Sequence, residues 1–351
     1  MGSFFKQVKR EIGIDFGTSN IALFVKGEGI VINEPTVVAV NNKTNQIVAI
    51  GKEAEEMLGK TPLHIRAIKP IINGVISDFE VAEKMLRYFL EKTRKKGIFN
   101  KLFDYSQVII NVPINITDVE RRAVEDVCKS AGVKNVFLVE SPLALALGAY
   151  LPISSSEGTL VMDIGGGNCQ IAVISLNGVV VGKSLKIAGN KLNEDIIYYI
   201  RDKFKLAIGE KTAEEIKIKI GSCLDLGTNQ EVRIKGRDLT RGLPKEIKIE
   251  EKDIREAITP SILKIIDALK NVLESTPPEL MGDIMEKGVF LGGGTSLLRG
   301  LDKLIAKSIE VPVNLIEEPT TALIRGISII LDNLDSYKDI LISSTREQPF
   351  E

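Results

Sequence analysis

Two stretches of the chain repeat one pattern, and that pattern constrains the fold more than any other feature. Residues 12–25 read Ile-Gly-Ile-Asp-Phe-Gly-Thr-Ser-Asn-Ile-Ala-Leu-Phe-Val, and residues 159–175 read Thr-Leu-Val-Met-Asp-Ile-Gly-Gly-Gly-Asn-Cys-Gln-Ile-Ala-Val-Ile-Ser. In each, an apolar run meets an aspartate, glycine follows, and a second apolar run begins. Asp15 answers Asp163, Gly17 answers Gly165, and Asn20 answers Asn168. A glycine turn between two strands lets backbone N–H groups converge on an anion, because no side chain stands in the way. The acid at its mouth suits a hydrated divalent cation. A single copy reads equally well as an ordinary hairpin. Two copies imply two related halves, each with a phosphate-binding turn, closed on one nucleotide like a clamp. The copies run on into Lys26-Gly27-Glu28-Gly29 and Asn177-Gly178, the second being the stronger hairpin signal.

A length of 351 residues leaves room for two domains. The net charge of −1 gives no reason to expect nucleic acid as a partner. Cys128, Cys169 and Cys223 have no metal spacing and form no even set, which is cysteine use for a reducing cytoplasm. His64 is the only histidine, so a histidine metal site or catalytic triad is not expected. No apolar run approaches ~18 residues, and the N-terminus lacks a signal-peptide core.

Outside the repeated turns, two segments carry exposed-looking apolar residues. Phe4, Phe5 and Val8 sit among Lys6, Lys9 and Arg10, which fits a short membrane-interface segment or a frayed terminus with docked aromatics. Residues 97–104, with Leu102 and Phe103, fit a hydrophobic finger for membrane or partner contact, or a loop folded back on the core.

Helical spacing runs over residues 79–95, with the basic residues and Gly97 beyond as its expected end. Thr117-Asp118-Val119-Glu120 is a capping box, and Val119, Ala123, Val127 and Ala131 are expected on one buried face. A strand over 135–139 leads to Glu140-Ser141-Pro142, which opens a small-residue helix. Helices are expected after Gly189-Asn190-Lys191, over 212–220 with Glu214, Glu215 and Lys217 on a polar edge, and over 253–274 up to Pro277-Pro278. A strand at 288–291 runs into Gly292-Gly293-Gly294-Thr295-Ser296, with a helix packing Leu297, Leu301 and Leu304 expected next.

The three glycine turns, in this order, resemble the actin-like ATPase superfamily. Within it the chain is similar to the MreB family of bacterial actins over roughly residues 11–333. The stretches Gly27-Glu28-Gly29-Ile30-Val31 with Asn33-Glu34-Pro35, Gly74-Val75-Ile76-Ser77-Asp78-Phe79, Val119-Glu120-Arg121-Arg122-Ala123, Ile174-Ser175-Leu176-Asn177-Gly178 and Thr276-Pro277-Pro278-Glu279-Leu280 carry that likeness outside the phosphate turns. The resemblance implies an α/β actin-like fold, two related domains around a nucleotide cleft, each with a core and an outer subdomain. Residues 1–150 would form domain I, with its outer part near 33–75. Residues 151–320 would form domain II, with its outer part near 190–256, and 321–351 would return to domain I and end in a loose tail.

The resemblance also implies ATP with Mg²⁺. Gly17, Thr18, Ser19 and Asn20 would hold phosphates from one side, and Gly165, Gly166 and Gly167 from the other. Gly189, Glu214, Glu215 and Lys217 would lie by the nucleotide, with Gly292, Gly293, Gly294, Thr295 and Ser296 beneath the adenosine. Asp15 and Asp163 would govern the metal and its waters. It further implies head-to-tail self-assembly into paired antiparallel filaments on the inner face of the cell membrane, serving cell shape or motility, with paralogues of the family as further partners.

Two positions depart from the family pattern. Its strand before the small-residue helix typically ends Glu-Glu-Pro, the second glutamate orienting the attacking water. Here Glu140 is followed by Ser141. Its second phosphate turn usually continues Thr-Thr-Glu, where this chain has Asn168-Cys169-Gln170. A positioned general base contributes ~10²–10⁴-fold in rate. With binding groups kept and two water-positioning groups replaced, slow ATP hydrolysis is expected, unless Glu140 compensates. The alternatives are a small-molecule kinase, which would need an acceptor pocket, and a chaperone, which would need a further substrate domain.

Overall fold

The computed structural model describes residues 10–93, 105–228 and 230–343. These fall into two compact units. One comprises the described residues up to Met57, Thr61–Pro152 and those from Leu323 onward; the other comprises Leu58–Lys60 and Ile153–Ala322. Phe4, Phe5, Leu102 and Phe103, singled out for membrane contact, lie outside the described residues, as does the basic run after Thr93.

The first unit is built on a six-stranded sheet in the order Leu341–Ser343, Val133–Glu140, Tyr105–Val112, Arg10–Phe16, Asn20–Val25, Gly29–Pro35. Arg10–Phe16 is antiparallel to Asn20–Val25 and parallel to Tyr105–Val112, which is parallel in turn to Val133–Glu140. Apolar residues on both faces of these strands are fully buried, Ile12, Ile14, Ile110 and Leu138 on one and Ile109 and Val139 on the other, as expected of parallel strands covered on two sides. Helix Phe79–Lys92 starts where Asp78 accepts the Val81 N–H and buries Met85, Leu86 and Phe89, but it ends at Thr93, before the expected basic stop.

Helix Asp118–Ser130 begins at the expected capping box of Thr117 and Glu120. Of the residues expected on one face, Val127 and Ala131 are buried, beside Val124 and Cys128, and Ala123 is partly buried, whereas Val119 is 78% exposed. Spacing by four advances about 40° past a full turn at each step, so a face chosen at i, i+4, i+8 drifts about 80° by the third residue. Helix Ser141–Gly148 is buried along its whole length. Its backbone meets that of helix Ala322–Asp332 so closely that a Cβ on Gly326 would lie 1.7 Å from the Ala144 carbonyl oxygen. Arg325 Nε donates to Gly148 O at 2.6 Å and fastens the same pair.

The second unit repeats the plan. Its main sheet runs Gly178–Leu185, Cys169–Ser175, Thr159–Ile164, Val289–Gly292, Val313–Leu315. Thr159–Ile164 again has an antiparallel partner on one side and a parallel one on the other. In both units the aspartate is the next-to-last residue of its strand. Phe16 pairs with Ile21 and Ile164 with Cys169, so each turn encloses four residues. The Asn177-Gly178 hairpin forms as expected, with Leu176 and Asn177 both at positive φ.

Two expectations fail in this unit, and a third holds with an addition. Helix Gly189–Phe204 starts at Gly189 itself rather than after Lys191. Helix Glu251–Glu274 ends before Pro277-Pro278 as expected, but Pro278 also opens a new helix, Pro278–Lys287, since proline suits a first helical turn whose N–H needs no partner. The third glycine turn leads into a short 3-10 turn, Gly294–Leu297, and the α-helix starts only at Leu301. Leu297 is therefore 54% exposed instead of packed.

Candidate functional site

In the first unit, the turn after Asp15 has its carbonyl groups occupied and its amides open. Thr36 donates through its N–H to Ser19 O at 2.9 Å and through Oγ1 to Gly17 O at 2.8 Å. The Gly74 N–H donates to Thr18 Oγ1 at 2.8 Å. The Thr18 and Ser19 N–H groups have no such partner among the described residues. A Cβ on Gly17 would lie 2.5 Å from Asn20 O, so only glycine fits that corner. Asp15 is partly buried at the strand end, Thr18 is buried, and Asn20 is exposed. A turn with satisfied oxygens and unsatisfied N–H groups presents a positive lip to an anion.

Behind this turn runs a chain of bonds that local sequence patterns do not reveal. The Phe16 N–H donates to Asn111 Oδ1 at 2.9 Å, Asn111 Nδ2 donates to Ser141 Oγ at 3.1 Å, and Ser141 Oγ donates to Val112 O at 3.0 Å. Ser141 is 2% exposed. Its hydroxyl is thus a strut between two strand ends and the first glycine turn. Glu140, beside it, ends its strand partly buried; burial pushes its carboxyl above the ordinary range, and it makes no hydrogen bond or ion pair among the described residues.

In the second unit, Gly165 N–H closes the turn on Asn168 O at 3.0 Å. Three donors then occupy the turn's outer carbonyls: Gly189 N–H to Gly165 O at 3.2 Å, Asn190 N–H to Gly166 O at 2.7 Å, and Thr295 Oγ1 to Gly165 O at 2.7 Å. The Gly166 and Gly167 N–H groups are again without a partner among the described residues. Asn168 is partly buried. The first amides of helix Gly189–Phe204 therefore brace the turn.

Asp163 is 8% exposed, and burial raises its carboxyl to about 6. The neighbouring Cys169 thiol is pushed far up by burial, so it is inert. The third glycine turn packs on this aspartate. A Cβ on Gly293 would lie 2.5 Å from Asp163 Oδ1 and from Ile164 O, and Gly293 adopts φ +81. Gly292 is buried and Gly294 exposed; Thr295 and Ser296 are buried, Ser296 Oγ donating to Gly293 O at 2.6 Å.

Lys217, expected on a polar edge, is only 7% exposed. Its ammonium donates to Gly189 O and to Glu214 Oε2, both at 2.9 Å. A Cβ on Gly189 would approach Thr295 Oγ1 to 2.8 Å and Lys217 Nζ to 3.3 Å. Gly165, Gly189, Glu214, Lys217 and Thr295 are thus one bonded cluster, while Glu215 is exposed and outside it. Among the described residues no group of three or more His, Cys, Asp or Glu side chains could cage a metal.

A family model described as MreB/Mbl protein matches residues 9–339. The cell shape-determining protein Mbl of Bacillus subtilis strain 168 is 45% identical over 326 residues, 93% of this chain and 97% of Mbl. Crystal structures of MreB5 of Spiroplasma citri bound to ADP and to AMPPNP each match with a TM-score of 0.89 at 37% identity, covering 95% of this chain and 99% and 98% of theirs. MamK, solved as a double helical filament, matches with a TM-score of 0.76 at 20% identity over 92% of this chain and 99% of its own, which bears on the fold alone.

Proposed function

The chain belongs to the MreB/Mbl family, has the actin-like fold, and from that footing we propose that it binds ATP with Mg²⁺ and hydrolyses it slowly while polymerising. One observation carries the reading. Two turns of the same register, each following an aspartate, have their carbonyls occupied from behind and their glycine-region amides left for an anion. The ADP and AMPPNP complexes of MreB5 support a nucleotide as that anion.

In this proposal the turns at residues 17–20 and 165–167 take the phosphates, through the open amides of Thr18, Ser19, Gly166 and Gly167. Glu214, Glu215 and Lys217 serve the adenosine, over Gly292–Ser296. Asp15 and Asp163 serve Mg²⁺ and its waters. Two carboxylates without a protein cage suit a cation that keeps most of its water. Asp163 fits the part, because a buried carboxyl raised by burial alone is the group a nearby cation would return to its charged form. The metal, when bound, would draw charge from the terminal phosphates.

Slow hydrolysis follows from Ser141. Its hydroxyl is buried and held on both sides, so it neither reaches nor activates a water. Glu140 is the acid left at that strand end, with no hydrogen-bond partner among the described residues to orient it. The proposed assembly is a head-to-tail filament, paired antiparallel on the inner face of the cell membrane, with residues 4–5 and 102–103 as the contacts to lipid and family paralogues as partners. Among the described residues no helix is long and apolar enough to cross a membrane, so attachment would be peripheral.

Nucleotide binding, sedimentation with ATP, ADP or neither, and steady-state phosphate release test the proposal together. Nucleotide binding, pelleting and slow release are expected. A chain that never pellets and phosphorylates a sugar instead is a kinase of the wider superfamily. Liposome binding unchanged after Leu102 and Phe103 are made polar would remove the second membrane contact.

A further inference from the structure

We propose that Asn193 is a positioning residue for the nucleotide sugar, fixing Glu214 so that one carboxylate oxygen is presented to a sugar hydroxyl. The inference rests on the nucleotide reading above. Asn193 lies in helix Gly189–Phe204 and is 1% exposed, among Leu192, Ile196 and Ile200. Packing alone would favour an apolar residue there. Instead its Nδ2 donates to Glu214 Oε2 at 2.5 Å, the same oxygen that Lys217 Nζ reaches at 2.9 Å. Its Oδ1 has no hydrogen-bond partner among the described residues, and buried polar atoms left in that state call for a reason beyond stability.

Glu214 is therefore clamped through one oxygen by two donors from two helices. Its other oxygen is bonded to nothing among the described residues, and its side chain is 41% exposed. Both clamping groups are donors, which suits a carboxylate and would not suit a second acid at position 193. The clamp is also tied to the phosphate turn, because Lys217 donates to Gly189 O and the Gly189 N–H donates to Gly165 O. Among the donors of a nucleotide, the sugar hydroxyls lie nearer the phosphates than the base amino group does. A carboxylate acceptor fixed beside the phosphate turn thus selects a hydroxylated sugar.

The test compares ATP, 2′-deoxy-ATP and 3′-deoxy-ATP binding to the full chain and to the Asn193→Leu and Asn193→Asp variants. The wild-type chain is expected to bind at least one deoxy analogue about tenfold more weakly than ATP. In both variants ATP affinity should fall about tenfold while that analogue changes little, so the discrimination collapses. Equal wild-type affinity for all three ligands would overturn the proposal without any variant having to fold. So would variants that keep ATP affinity, or that weaken every ligand alike, the mark of a residue that only packs. A wild-type chain that binds no nucleotide would instead defeat the reading of the site itself.

Discussion

Asn111 donates to Ser141 at 3.1 Å, and through that bond the position where the family resemblance implies a water-orienting glutamate becomes part of the scaffold behind the first glycine turn. The serine is an occupied structural position, because Asn111 also takes the Phe16 N–H and Ser141 closes the chain on Val112 O. Restoring the acid therefore has two effects. In a Ser141→Glu, Asn168→Thr variant, phosphate release should rise, by at most ~10²–10⁴-fold. Stability should fall, because Asn111 loses its acceptor and a larger acid enters a site that is 2% exposed. Single-turnover phosphate release beside urea denaturation reads both. A variant no faster than the parent would mean that hydrolysis is limited elsewhere.

Asn111 can be tested by itself. Replacing it with leucine strands the Phe16 N–H, and an unmade buried hydrogen bond costs about 1–3 kcal/mol. Asn111→Leu should lower unfolding free energy by that amount and weaken ATP binding, since Phe16 directly precedes Gly17. A loss of stability with ATP affinity untouched would separate the strut from the site.

Glu251, in the second unit, gives a pH signature. It is 4% exposed and accepts Ser222 Oγ at 2.6 Å and Thr228 Oγ1 at 2.5 Å, with Arg299 Nη2 3.6 Å away. Burial pushes its carboxyl up, but the bonds from Ser222 and Thr228 and the charge of Arg299 outweigh it and hold the group below the ordinary 4.5. A depressed folded value means that the ionised group stabilises the fold above the unfolded value and ceases to do so as pH falls through the folded one. Glu251→Gln should cost about 1–3 kcal/mol at pH 7, with the gap to wild type narrowing below roughly pH 4.5. Denaturation at pH 7 and pH 3.5 checks the sign, and a gap that widens on acidification would refute it.

What the sequence discloses follows from where each signal lives. The two glycine turns were legible because strand, acid and glycine are contiguous and occur twice. The capping box at Thr117 was legible because its two residues are three apart. Lys217 was misplaced on a polar edge because what draws its ammonium inward is the Gly189 carbonyl, 28 residues earlier. Asn193 was missed because it reads as one of several polar residues, with Asn190, Lys191, Glu194 and Asp195 around it, and its partner is 21 residues away; Asn111 was missed because it reads as a lone polar residue in an apolar run, and its partner is 30 residues away. The clue available was that a polar residue inside such a run is buried only with a partner. Val119 fell off the buried face of helix Asp118–Ser130 for a geometric reason, the drift of a four-residue spacing, while Val127 and Ala131 lie buried as expected.

Two adjacent glycines allow one experiment with its own control. Gly293 holds φ +81 and ψ 162, a region that is essentially glycine-only and costs other residues about 1–3 kcal/mol. A methyl there would also lie 2.5 Å from Asp163 Oδ1. Gly294 is exposed, and a methyl on it would meet nothing nearer than Thr320 Cγ2 at 3.8 Å, an ordinary contact. Gly293→Ala should therefore lose at least about 2 kcal/mol of stability and, by shifting Asp163, weaken the Mg²⁺-dependent part of ATP binding. Gly294→Ala should stay within about 0.5 kcal/mol of wild type. Thermal denaturation, with ATP titrations in Mg²⁺ and in EDTA, distinguishes the cases. If both alanines are tolerated alike, the third glycine turn is not pressed against Asp163, and the acid's position must be set from elsewhere.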